Sequence, residues 1–298
     1  MKKGINYWAL PIEMTLAQKF RFAKYCGFDG VELVILMNGE LSANASKKEL
    51  EGLRNLASSE GIEIPSLTNS LNWTCSFTSD NPEVRNKASD VLKRQIDIAF
   101  ELGVQAVLAL PGFVSVGFEI NELHPTTDIS YEDSYLPSKE VIQYDLAYER
   151  AIEGFKAVAD YARSANVKVC IENIWNKFLL SPLEMRNFID EIGSPYIASY
   201  FDVGNVNPFG IPQHWIKILG KRIERVHLKD YRNGFLSLDG FVNLTEGDID
   251  LNAVAEALHL IGYDGWVTAE VNVDPSNPER IALAASQAMD KIFMVGGK

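Results

Sequence analysis

The sequence predicts an α/β protein, a (β/α)8 barrel in a single domain over residues 1–298. Three observations predict it. Strand-like and helix-like runs alternate eight times in a chain of 298 residues, near the usual size of one such barrel, roughly 250 residues and up. No GxGxxG or GxxxxGK[ST] occurs, so a doubly wound nucleotide-binding sheet lacks its fingerprint. Four ligand-type residues end four successive late strands: Glu172 in KVCIEN, Asp202 in IASYFDV, His227 in IERVHLKD and Glu270 in GWVTAEV.

The elements follow in order. A first strand is expected over residues 4–10 and a helix over 15–26. A second strand covers 30–34, with a helix at 45–60. The third strand, 62–68, precedes a long helix at 81–102, whose Pro82 sits near the start, where proline is tolerated. A fourth strand at 106–111 leads into a long loop, 112–138, and a helix at 139–165. Strand five is 168–173 with a helix at 181–192. Strand six is 197–203 with a short helix at 213–219. Strand seven is 223–230 with a helix at 250–261. Strand eight, 265–271, is closed by a helix at 277–294. The echoes GFDG (27–30) and GYDG (262–265) read as helix-to-strand turns of a repeating unit. The long loops 37–44, 69–80, 112–138 and 231–248 are expected to roof one face of the barrel.

Composition narrows the partners. The chain is 47% hydrophobic with a net charge of -12, which disfavours nucleic acid and anionic membrane and leaves a small molecule as the expected partner. Cys26, Cys75 and Cys170 are far apart with no CxxC spacing, as expected of free thiols in a reducing compartment. The N-terminus has no long apolar run and no segment approaches 18 uninterrupted apolar residues, so cytoplasm is the expected location.

Strand parity makes the four ligand-type residues informative. Cys170 and Glu172 share one face of their strand, and Val169 and Ile171 the other. Val226 and Leu228 lie opposite His227. Val267, Ala269 and Val271 lie opposite Thr268 and Glu270. The apolar faces are expected to pack on the helices and the ligand set to point inward. Strand C-termini converge at one mouth. Three carboxylates facing one another there would repel strongly without a cation, and with one imidazole they suit a divalent metal. Mn²⁺ is the expected ion, with Mg²⁺, Co²⁺ and Zn²⁺ as alternatives.

The segments GFDGVEL, IPSLTNS, CIENIWN, FLLSP, YFDVGNV, RVHLKD and GFVNLTEGDIDL carry a family resemblance over most of the chain. The chain resembles the sugar isomerase/epimerase superfamily with the xylose isomerase-like barrel. Within it, the resemblance is to the L-ribulose-5-phosphate 3-epimerase and hexulose-6-phosphate isomerase-like branch. This implies a metal-dependent isomerase or epimerase of a ketose or ketose phosphate, forming a homodimer or homotetramer. It implies metal ligation by Glu172, Asp202, His227 and Glu270, with Glu172 and Glu270 also the acid/base pair working through a metal-bound cis-enediolate. A dehydratase of inososes or keto-sugars on the same barrel, or a nonenzymatic sugar-binding relative, is the alternative. The chain departs from the pattern in two places. Asn205 stands three residues after the metal aspartate, where many epimerases carry His and the phosphate-sugar branch often carries Asn, which favours that branch. Asn72-Trp73-Thr74 replaces the basic cluster of the phosphate-sugar branch.

Further residues are candidates for contact with substrate. Lys229 shares a face with His227 and is expected to meet a substrate oxygen or phosphate, or to pair with Asp230 or another mouth carboxylate. Arg232 is a loop cation and Asn205 a polar group near the mouth. Trp8 and Trp175, and less so Trp73, can pack against sugar C–H faces. Glu32 is expected to face the mouth. His124, His214 and His259 read as surface or packing groups.

Overall fold

The computed structural model describes residues 1–117 and 139–295. Eight parallel strands close into a barrel in chain order: β1 Lys2–Asn6, β2 Gly30–Ile35, β3 Leu67–Asn69, β4 Ala106–Ala109, β5 Lys168–Glu172, β6 Ile197–Asp202, β7 Ile223–Leu228 and β8 Trp266–Ala269, with β8 pairing back onto β1. Each is followed by a helix: α1 Leu16–Tyr25, α2 Lys47–Ser59, α3 Pro82–Leu102, α4 Tyr144–Ala165, α5 Pro182–Ile192, α6 Pro212–Leu219, α7 Leu251–Leu260 and α8 Pro278–Val295. The expected (β/α)8 barrel is therefore the fold. The loop at 112–138 and its His124 fall largely outside the described residues. Among those described, no helix is long and apolar enough to cross a membrane.

Local chemistry sets the helix starts. Thr15 with Gln18 and Ser46 with Glu49 form capping boxes at α1 and α2, each satisfying two otherwise unpaired backbone donors. Asn81 and Ser181 cap α3 and α5, each just before a proline. The GFDG and GYDG echoes do form helix-to-strand turns. Gly27 and Gly262 take left-handed φ of 86° and 73°, open to glycine without penalty. Gly30 lies so close to the Trp266 ring that a Cβ would sit 2.8 Å from it.

Three elements differ most from expectation. The first strand is Lys2–Asn6 rather than 4–10, because the Asn6 side chain accepts from the Trp8 N–H at 2.7 Å and turns Tyr7–Ala9 into a single 3-10 turn. The third strand is only Leu67–Asn69. Pro65 interrupts its first half because proline has no N–H to give the ladder, and Glu63 makes only an isolated bridge to Gly30. The fourth helix starts at Tyr144 rather than 139. The preceding backbone is spent elsewhere, with the Ile142 N–H donating to Val114 O at 2.9 Å.

Side-chain alternation divides the core as the parity requires. Val169, Ile171, Phe201, Val226, Leu228 and Val267 join the large cluster shared with the helices. Cys170, Ala106, Leu108, Ala198 and Tyr200 form a separate inner cluster. All three cysteines are free and buried.

Asp230 ties down the segment after β7. It is buried, and its carboxylate accepts from the backbone N–H groups of Thr245 and Gly247, both at 2.9 Å, and of Tyr231 at 2.8 Å. This seats a two-stranded ribbon, Asp230–Tyr231 against Phe241–Val242, beside the barrel mouth. Bonds to a buried charge contribute about 1.5–3 kcal/mol each. Asp230→Ala should therefore cost at least about 3 kcal/mol, read as a lower urea midpoint. An unchanged midpoint would show that the ribbon holds without this carboxylate.

Candidate metal centre

Glu172, Asp202, His227 and Glu270 converge at the C-terminal end of the barrel. One ligand atom from each lies within 4.8 Å of all the others. Barrel pairing sets Asp202 beside His227, and Glu270 follows β8 directly, its N–H donating to Leu228 O at 3.1 Å. His227 Nδ1 is 3.0 Å from Glu172 Oε1, 3.1 Å from Glu270 Oε2 and 3.7 Å from Asp202 Oδ2. Asp202 is wholly buried, while Glu270 keeps 18% of its side chain exposed. Asn173 fixes the Asp202 backbone from both sides, donating to its carbonyl at 2.8 Å and accepting from its N–H at 2.9 Å.

The electrostatics match a cation site. Burial pushes the Glu172 carboxyl up to about 7, against a lowering hydrogen bond from His227. Burial alone would depress His227, but the charges of Glu32 and Glu270 raise it well above the ordinary imidazole value. Lys229 is likewise raised despite burial, by Asp202, Glu270 and Glu172. Its ammonium lies 2.9 Å from Asp202 Oδ2 and 3.0 Å from Glu270 Oε1. Three carboxylates and one imidazole nitrogen turned toward a common point are the donor set that Mn²⁺ and similar divalent ions take, so the residues present fit such an ion.

Glu32 is not at the mouth. It faces the barrel interior, fully buried, with three residues of β2 still beyond it. Its depth follows from the register that sets it beside Asn6. His227 Nε2 donates to Glu32 Oε1 at 2.8 Å, Asn6 donates to the same oxygen at 2.6 Å, and Ser66 donates to Oε2 at 2.6 Å. The Tyr200 hydroxyl donates to Oε2 as well. Burial would raise the Glu32 carboxyl, yet the His227 charge and the bonds from His227, Ser66 and Tyr200 hold it below its usual range. With Nε2–H committed to Glu32, Nδ1 is the nitrogen that would give up its proton to a metal, the orientation an outer partner usually imposes on a ligand. Loss of such partners lowers metal affinity roughly 10–100-fold. Calorimetric titration of Glu32→Ala with Mn²⁺ should show a loss of this size, and unchanged affinity would mean that packing alone orients His227. Tyr200 could have been found two residues before Asp202 on the same face. Asn6 and Ser66 carry no such signal.

A cavity of about 580 Å³ opens over the cluster. Trp8, Trp175, Asn205 and Lys229 line it together with Glu172, His227 and Glu270, whereas Asp202 lies behind them. Trp175 stacks on Phe241 at 5.2 Å between centroids and donates its Nε1–H to Asn205 O. The Asn205 amide donates to Asn173 O at 3.0 Å. Trp73 also reaches the cavity, stacked on Phe113. Arg232 does not: it is exposed and donates to Glu246 O at 3.1 Å, because the ribbon turns it away from the barrel axis. Lys229 pairs with Asp202 and Glu270 rather than with Asp230, which is occupied by backbone. His214 is exposed, and His259 bonds Ala255 O on its own helix.

Comparison with known proteins gives concordant matches. The model of the family described as xylose isomerase-like TIM barrel matches residues 20–292. A putative L-ribulose-5-phosphate 3-epimerase of Haemophilus influenzae is 28% identical over 232 residues, covering 77% of this chain and 73% of that protein. Its namesake from Escherichia coli K12 is 25% identical over 275 residues, covering 90% and 87%. Among solved structures, a D-tagatose 3-epimerase-like protein superposes with a TM-score of 0.76 at 21% identity, covering 99% of this chain and 98% of that one.

Proposed function

Because the chain belongs to the xylose isomerase-like TIM barrel family, we propose that it is a divalent-metal-dependent isomerase or epimerase acting on a ketose. The observation that carries this reading is the division of labour within the cluster. Glu172 and Glu270 face both the ligand cluster and the open cavity, while Asp202 is sealed behind them. Two carboxylates beside one binding space suit proton removal and proton return. The names of the curated relatives support a 3-epimerase in particular.

Glu172, Asp202, His227 and Glu270 would hold the ion, proposed to be Mn²⁺. When bound, the cation supplies positive charge that polarises the sugar carbonyl. One glutamate removes the proton from the carbon beside the carbonyl, and the C–H electron pair moves to give an enediolate. The other glutamate, protonated, returns a proton to the opposite face of that carbon. Burial that pushes Glu172 up to about 7 suits it to both roles. The Lys229 ammonium keeps Glu270 in place. Incubation with a panel of ketoses, following inversion beside the carbonyl by NMR, tests the reading. Loss of water instead would identify a dehydratase.

Trp8 lines the cavity and is proposed as a stacking wall for sugar C–H groups. Aromatic contacts of this kind contribute roughly 0.5–1.5 kcal/mol. Trp8→Ala should raise KM by up to about tenfold with kcat little changed. A fall in kcat with KM unmoved would mean that the ring positions the reacting groups instead.

A further inference from the structure

Resting on the ketose reading above, we propose that this site takes an uncharged sugar and discriminates against its phosphate ester. Among the described residues lining the cavity, His227 and Lys229 are the only cations. Both are committed: His227 lies between Glu32, Glu172 and Glu270, and Lys229 between Asp202 and Glu270. A bound dication is itself matched by the three carboxylates that would hold it. The rim adds another acid, Glu13.

A phosphate dianion needs charged or strongly polar donors aimed at it, most often Arg or Lys. In barrels of this kind they commonly come from the loops after the seventh and eighth strands, with a helix N-terminus. Here those loops are otherwise engaged. After β7 the loop cation is Arg232, exposed and donating to the Glu246 carbonyl. After β8 the turn before α8 is filled by the chain's own carboxylate. Asp274 accepts from the Ser276 N–H at 2.9 Å, the Ser276 hydroxyl at 2.6 Å and Arg280 at 3.1 Å.

What the cavity offers instead suits hydroxyl groups. Thr68, Asn69, Asn72 and Asn272 line it, and amides and hydroxyls both donate and accept, as sugar hydroxyls do. Trp8 and Trp73 supply apolar faces between them. A phosphoryl group placed here would lose hydration and face carboxylates without a partner cation, which is unfavourable.

The test uses the full-length, Mn²⁺-loaded protein and matched pairs: L-ribulose with L-ribulose 5-phosphate, and D-fructose with D-fructose 6-phosphate. Turnover is read as solvent deuterium entering the carbon beside the carbonyl, and binding is read separately by saturation-transfer NMR. The neutral member should win in kcat/KM by at least about tenfold, equivalent to about 1.4 kcal/mol, and should bind more tightly. Asn72→Arg should shift the ratio toward the phosphate by a similar factor. A phosphorylated member that exchanges faster, or binds more tightly, overturns the inference while leaving the epimerase reading intact. Tighter binding of the neutral members with no exchange in any pair would instead sink the epimerase reading and uphold the discrimination.

Discussion

Glu172→Gln and Glu270→Gln should each lower kcat by about two to four orders of magnitude, the usual worth of a general acid or base. Glutamine keeps the side-chain shape and a neutral oxygen toward the cluster but cannot take up the proton. The positions are not equivalent. Glu172 is almost wholly buried and bonded to His227, whereas Glu270 is partly exposed and paired with Lys229. Glu172→Gln therefore removes a carboxylate from the interior. Glu270→Gln leaves Lys229 with Asp202 as its nearest partner. Deuterium exchange into bound substrate separates proton transfer from later steps. If both variants, with metal bound, exchanged at the unaltered rate, the two glutamates would not be the acid and base.

Stripping the protein with a chelator should abolish turnover, and Mn²⁺ should restore it. His227→Ala should weaken Mn²⁺ binding by more than about 100-fold, beyond the roughly 10–100-fold loss typical of an outer partner. His227 offers the sole nitrogen among the four residues that could hold the ion. Its removal also leaves Glu32 buried with Asn6, Ser66 and Tyr200 but without the charge that holds its carboxyl low. A companion loss of folding stability is therefore expected. Metal affinity measured on the folded fraction distinguishes the two effects. Turnover that survived complete chelation would contradict a metal role.

Much of this was legible in the sequence for a specific physical reason. A strand alternates its faces with period two, so the apolar set Val169, Ile171, Val226, Leu228 and Val267 and the polar set Glu172, His227 and Glu270 separate on paper as they do in the barrel. The four candidate ligand positions also lie at or beside the C-terminal ends of their strands, and closure of the barrel brings such ends together. Depth was not legible. Glu32 has the right parity, but its height along the axis depends on how β2 is staggered against β1, which becomes fixed only on closure. The Asn6, Ser66 and Tyr200 partners come from segments far apart in sequence and meet through that same stagger. Direction in loops was equally hidden: Arg232 is turned outward by a ribbon that Asp230 anchors through backbone bonds, and no side-chain pattern encodes that. Pro65 did carry a signal against a full third strand, in its missing N–H.

The most direct test of a metal-dependent proton transfer is a single NMR experiment in D₂O, with the Mn²⁺-loaded protein, its chelator-treated form and ketoses shown to bind. The account predicts one deuterium at the carbon beside the carbonyl, accumulating together with the inverted sugar, in the metal-loaded sample and not in the stripped one. A bound ketose that gains no deuterium from the loaded protein, or gains it equally from the stripped protein, would contradict it.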